Sequence, residues 1–213
     1  RSEVARAVCG MDPHCGGDIR LAGRPIAVKH ARDAIDHGIY LVPEDRRKSG
    51  LIGSMSIREN VTLSDLRRYS HFGWIRRADE MQVAAQQCQA MNVAAPSVET
   101  RVSNLSGGNQ QKVVLGKWLS MQPKVMFLDE PTRGIDVGAK AEIYRLMHRL
   151  AERGVAIVMI SSDMEELLAV SDRMIVMHEG RITGSLERRE FSEEAVMHLA
   201  VGAAHVETAE ARS

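Results

Sequence analysis

The sequence predicts an α/β fold, a mainly parallel sheet covered by helices, with a helical insert between two parts of the sheet. Three observations predict it. The apolar runs 125–128, 155–160 and 174–177 are too short for helices and rich in β-branched or bulky residues, as buried strands are. A helical periodicity joins the first two runs, giving a strand, helix, strand unit. From Ser54 to Asn104 strand-like runs vanish and helical spacing takes over.

Taken in order, the opening Arg1-Ser2-Glu3-Val4-Ala5-Arg6 reads like the middle of a helix and hints at a fragment. Asp79 and Glu80 open a helix in which Met81, Ala84, Ala85, Cys88 and Met91 recur at helical spacing, with Pro96 beyond its end. That stripe is expected to pack against the core rather than hold a metal. Residues 137–153 place Ile143, Leu146, Met147 and Leu150 on one face, with Arg149 and Arg153 in the last turn and Gly154 as the stop. The small, polar residues 203–213 are expected to form a loose tail.

Composition narrows the function. The 213 residues are 44% hydrophobic and 26% charged, with 28 Lys and Arg against 28 Asp and Glu. A disordered chain and a whole-molecule electrostatic grip on nucleic acid or lipid are both disfavoured, although local basic clusters survive the average. The longest apolar stretch, 155–160, is far short of the roughly 20 residues that cross a bilayer. Cys9, Cys15 and Cys88 show no C-x-x-C spacing, so neither a disulfide framework nor a zinc site is indicated and a reducing cytosol is the default.

Two segments carry chemistry. In Asn104-Leu105-Ser106-Gly107-Gly108-Asn109-Gln110-Gln111-Lys112, Ser106 is placed to cap a helix and the glycines let backbone N–H groups approach an anion. In Val125-Met126-Phe127-Leu128-Asp129-Glu130-Pro131-Thr132-Arg133-Gly134-Ile135-Asp136, a buried strand ends in two acids, at the edge where open α/β sheets keep their ligands. In nucleotide hydrolases the first such acid holds Mg²⁺, usually through water, and the second orients or polarises the attacking water. Alone, each segment could equally be a capped turn or a strand end.

Together, 105–115 and 128–138 resemble the signature motif, Walker B strand and D-loop of the ATP-binding cassette family. The resemblance extends to Leu41-Val42-Pro43-Glu44-Asp45-Arg46, similar to the Q-loop region, and to 175–182, similar to the late strand pair. Pro-Glu-Asp-Arg and Asn-Gln-Gln-Lys resemble in particular the second cassette of the tandem-cassette ATPases of bacterial ribose, galactose and xylose importers. The family implies a P-loop NTPase core over 1–52 and 120–190, a helical signature subdomain over 53–119, and a C-terminal helix and tail over 191–213. It also implies that Ser106, Gly107, Gly108, Asn109 and Gln110 face the γ-phosphate of ATP held by another cassette. Asp129 would hold Mg²⁺, Glu130 would polarise water, and Asp136 would sit where the two cassettes communicate.

Several family features are altered. No G-x-x-x-x-G-K-[ST] occurs, so the phosphate loop and the strands before it are absent, and Arg1-Ser2-Glu3 would be the remainder of a loop ending in Gly-Arg. Glu44 takes the Q-loop glutamine position and Ser162 the switch-histidine position, and a serine hydroxyl cannot replace an imidazole in proton handling. His148 and His178 offer no rescue. The implied role is an ATP-binding subunit fragment of a sugar importer, weak at its own site and donating its signature in trans. Its implied partners are the first cassette or a second copy, permease subunits and, indirectly, a periplasmic sugar-binding protein, at the cytoplasmic face of the inner membrane.

The basic pairs at Arg46-Arg47, Arg67-Arg68 and Arg76-Arg77 are expected to be solvated or to meet membrane subunits. With aromatic content of only 4%, no nucleic-acid stacking platform is expected. The alternatives are a soluble cassette ATPase of DNA repair or translation, in which long coiled-coil arms would be expected, and a non-catalytic regulatory cassette half.

Overall fold

Strand termini set the architecture. The structure, a computed structural model, describes residues 1–13 and 16–202, and Cys15 and the expected tail at 203–213 lie outside them. The described chain divides into a unit of Ser2–Ile160 and a unit of Arg1 with Ser161 onward.

In the first unit α1 (Ser2–Val8) precedes a hairpin of β1 (Ile19–Leu21) and β2 (Arg24–Ile26). Next come α2 (Ala31–His37), β3 (Ile39–Val42), α3 (Ile57–Thr62), β4 (Ser70–His71), β5 (Trp74–Ile75) and α4 (Arg77–Ala90). The unit closes with α5 (Gly107–Leu119), β6 (Val125–Asp129), α6 (Val137–Glu152) and β7 (Ala156–Ile160). Strands β3, β6 and β7 form a parallel sheet in that order, with Val42 opposite Leu128 and Asp129 opposite Ile160. Their C-terminal ends therefore come together, and the loops that follow them define one edge of the sheet.

The parallel sheet and the α6 face are as the sequence predicts. Met126 and Leu128 are fully buried, and the inward residues Ile143, Leu146, Met147 and Leu150 of α6 are buried. One sheet face packs on Ala5, Cys9, Val28 and Ala34. Burial pushes the Cys9 thiol up to about 11, which keeps it protonated and unreactive at neutral pH.

Three expectations are corrected. The stretch 54–104 does contain strands: β4 and β5 form a two-stranded hairpin whose turn residues, Phe72 (φ 48°) and Gly73 (φ 83°), both lie in the left-handed region. On α4 only part of the expected stripe faces inward. Ala84 and Met91 are buried and Cys88 half-buried, but Met81 and Ala85 are exposed and Glu80 takes an inward place. Glu80 enters the core because it has partners there: Arg58 Nη1 donates to its Oε2 and the Thr62 hydroxyl to its Oε1, each at 2.6 Å.

The third correction lies in the second unit, built of α7 (Met164–Val170), β8 (Arg173–His178), β9 (Arg181–Glu187) and α8 (Glu193–Ala200). The run 174–177, expected as a buried strand of the parallel sheet, pairs antiparallel with β9. Met174 and Val176 face Val196 and Leu199 of α8, while Ile175 is exposed, the alternation of a sheet with one solvated face. Among the described residues no helix is long and apolar enough to cross a membrane.

Candidate functional site

The edge where β3, β6 and β7 end gathers most of the residues singled out by the sequence. Asp129, the last residue of β6, is buried and accepts a hydrogen bond from the Ser2 hydroxyl at 2.9 Å. Ser2 lies in the first turn of the chain, and the helix that begins there carries it to the strand end. Two hard oxygen donors thus converge at one point, the donor type that suits Mg²⁺ when water and phosphate complete an octahedron. Among the described residues no group of three or more His, Cys, Asp or Glu could hold a metal without such help.

Glu130 follows with φ 48°, an uncommon backbone conformation for a residue with a Cβ. Its N–H donates to the Ile160 carbonyl at 2.8 Å, which extends the β6–β7 ladder by one bond and holds the strained residue in place. The chain then turns through Gly134 to Asp136, whose exposed carboxylate caps α6 by accepting from the Ala139 N–H at 2.9 Å. Asp136→Ala is expected to cost about 1 kcal/mol of stability through loss of that cap. A lower urea midpoint for the variant would register it, and an unchanged midpoint would show that the carboxylate is not a structural cap.

The second cluster surrounds the start of α5. Ser106 is exposed, and its Oγ accepts from the Asn109 N–H (3.4 Å) and from Asn109 Nδ2 (3.0 Å). The N-terminal amides of a 13-residue helix and its dipole stand behind it. The two glycines have different tasks. A Cβ at Gly108 would lie 2.8 Å from the Ala139 Cβ, so its absence permits the close approach of α5 to α6. At Gly107 a Cβ would lie 2.7 Å from Arg46 Nη2, because the guanidinium rests against this residue.

Two of the expected signature residues turn inward. Gln110 is only 5% exposed, and its Nε2 donates to the carbonyls of Val102 (3.0 Å) and Leu105 (3.3 Å). Asn109 Oδ1 accepts from the Ala94 N–H at 2.8 Å. Both side chains brace the loops leading into α5, which leaves Ser106 as the signature side chain presented outward.

Glu44, expected at the Q-loop position, forms an ion pair with Arg133, and Arg46 Nη1 donates to the Arg133 carbonyl at 3.0 Å. The structure therefore brings together the loop after β3, the loop after β6 and the α5 N-terminus. Ser162 is exposed at the start of the second unit, beside Ser161, whose hydroxyl donates to buried Glu166 at 2.6 Å. Sequence reasoning did not single out Ser2, Arg46, Arg133 or Ala139 as partners of these residues. The Arg1-Ser2 remainder of a phosphate loop was the one available signal.

Comparison with known proteins places the chain in a family. A sequence model of the family described as "ABC transporter" matches residues 1–133. A Burkholderia cenocepacia protein provisionally named ribose/galactose/methyl galactoside import ATP-binding protein 3 is 52% identical over 206 residues, 96% of this chain and 40% of that protein. The ribose import ATP-binding protein RbsA of Bacillus licheniformis is 48% identical over 202 residues, 95% of this chain and 41% of that protein. The chain thus spans about 40% of the length of the curated relatives it matches. In fold it is similar to the crystal structure of a nucleotide-free ATP-binding cassette from an ABC transporter, with a TM-score of 0.77, 19% identity, and coverage of 93% of this chain and 78% of that one. With a family model matched over residues 1–133 and relatives about half identical along nearly the whole chain, the chain belongs to the ABC transporter family.

Proposed function

We propose that the chain is the C-terminal cassette portion of a sugar importer's ATP-binding subunit, and that it completes an ATP site on a partner cassette. The observation that carries this reading is the division of labour at α5. Gln110, Gly108 and Asn109 secure the helix to its own chain, and Ser106 remains exposed at the positive end of the helix, with the Arg46 guanidinium beside it on Gly107, as a surface for a triphosphate held elsewhere. The partner is the first cassette of the same subunit or a second copy. Permease subunits would transmit the motion, a periplasmic binding protein would deliver the sugar, and the assembly would sit at the cytoplasmic face of the inner membrane.

At the chain's own site, Asp129 and Ser2 would hold Mg²⁺. Bound there, the ion would neutralise charge on the phosphates. The Glu130 backbone is held by the Ile160 carbonyl, and its carboxylate would orient a water. Two features of the sequence would weaken catalysis there: the Glu44 carboxylate is engaged with Arg133, and by the family resemblance a serine, Ser162, stands at the position of an imidazole.

The purified 213-residue chain is therefore expected to bind ATP poorly and to release no phosphate above background in the presence of Mg²⁺. Phosphate release and equilibrium binding of a fluorescent ATP analogue check this, and robust Mg²⁺-dependent turnover by the chain alone would overturn it.

A further inference from the structure

The β4–β5 hairpin exposes an apolar tip. Phe72 is 91% exposed, Trp74 82% and Ile75 51%. Its root is fixed: Tyr69 is buried and its carbonyl accepts from the Arg76 N–H at 2.8 Å, so the tip stands on a closed base. The turn is costly as written. A phenylalanine at φ 48° occupies a position where Asn or Gly would fit without strain, and it makes only an edge contact with His71, at 4.4 Å between centroids. Fold stability does not explain an aromatic there, and uncompensated strain of this kind gathers at functional positions.

Arg67, Arg68, Arg76 and Arg77 flank the tip, and no acid occurs between Asp65 and Asp79. Arg76 pairs with Asp79 and Arg77 with Glu99, whereas Arg67 has no acidic partner among the described residues and Arg68 donates only to the Ser120 carbonyl. An exposed tip with two aromatic residues, flanked along the chain by two arginine pairs, matches the boundary of a bilayer. There Trp and Phe settle at headgroup depth and arginine meets lipid phosphate. Roughly 300–500 Å² from two aromatic side chains is well below the ~800 Å² per partner of a stable protein interface.

We propose that this hairpin docks on anionic lipid headgroups, Phe72 and Trp74 entering the interface and Arg67 and Arg68 meeting the phosphates. The proposal needs neither nucleotide nor a second cassette, so it stands or falls apart from the function proposed above.

The test is cosedimentation of the purified chain with vesicles of phosphatidylcholine containing one-third phosphatidylglycerol, against phosphatidylcholine alone. Binding only to the anionic vesicles, with a blue shift of tryptophan emission, is expected. Trp118, half-buried and stacked on Tyr40 at 5.2 Å, supplies a constant background. The double variant Phe72→Asn with Trp74→Thr keeps residues suited to a left-handed turn and a strand. The urea midpoint should stay the same or rise slightly as the strain at position 72 is relieved, while vesicle affinity falls roughly tenfold or more. Arg67→Gln with Arg68→Gln should abolish the preference for anionic vesicles. Absence of binding by the unsubstituted chain, or binding that these variants leave intact, overturns the proposal. If vesicles are ignored but the hairpin variants release the intact subunit from its membrane-embedded partners, the surface is a protein contact and the lipid assignment is wrong.

Discussion

Glu80→Ala is expected to destabilise the chain by about 3 kcal/mol, the low end of the range for removing one partner of a buried ion pair. Arg58 and Glu80 are 8% and 3% exposed and Thr62 fully buried, so water cannot readily replace the lost carboxylate. The change leaves Arg58 Nη1 and the Thr62 hydroxyl without the oxygens that lie 2.6 Å away. Arg58 would keep Glu99, which accepts from its Nε at 2.8 Å, and that bond holds the cost below the upper end of the range. Glu99→Ala is the useful contrast. Its carboxylate is a third exposed, and solvent can take its place, so a loss of about 1 kcal/mol or less is expected. Urea denaturation of both variants measures the difference. Equal losses would show that α3 and α4 are not joined through a buried charge.

How much of this was legible in the sequence depended on element length and on how far a partner lies along the chain. Helix α6 and strand β6 were readable because an apolar face recurs at helical spacing from Ile143 to Leu150 in one and a short apolar run ends in paired acids in the other. The β1–β2 and β4–β5 hairpins were not, since strands of two or three residues are too short to display a period. On α4 the apolar residues fit two overlapping faces. Hydrophobicity favoured the one with Met81 and Ala85, whereas the folded chain chose the one where Glu80 meets Arg58. A buried acid cannot be anticipated until its partner is known.

The site shows the same division. Ser106 as a helix cap and Asp129 at a strand end follow from local rules, and both stand where those rules put them. That Ser2 reaches Asp129 across 127 positions, or that Arg46 covers Gly107, depends on tertiary folding. Long charged side chains leave no periodic trace of where they end. The inward turn of Gln110 belongs to this class too, because the Val102 and Leu105 carbonyls it satisfies lie on a single 3-10 turn, too short to show a period.

Ser106→Asp separates the role of α5 in folding from its role toward nucleotide. Aspartate caps helices as well as serine does and is favoured by the positive end of the helix dipole, so the urea midpoint should stay the same or rise slightly. The Asn109 N–H and Nδ2 that now meet Ser106 Oγ would find a carboxylate oxygen instead. Toward a triphosphate arriving from a partner cassette, however, the variant presents a negative charge within a few ångströms of another. At an effective dielectric of about 20, that repulsion is of order 3–4 kcal/mol, a loss of a hundredfold or more in ATP turnover. The measurement belongs in the intact subunit, where both cassettes are present, with Ser106→Asn as the neutral control that keeps the cap. Turnover should survive in the asparagine variant and collapse in the aspartate variant. Equal turnover in both would mean that no phosphate approaches Ser106, and the α5 N-terminus would then be a structural cap alone.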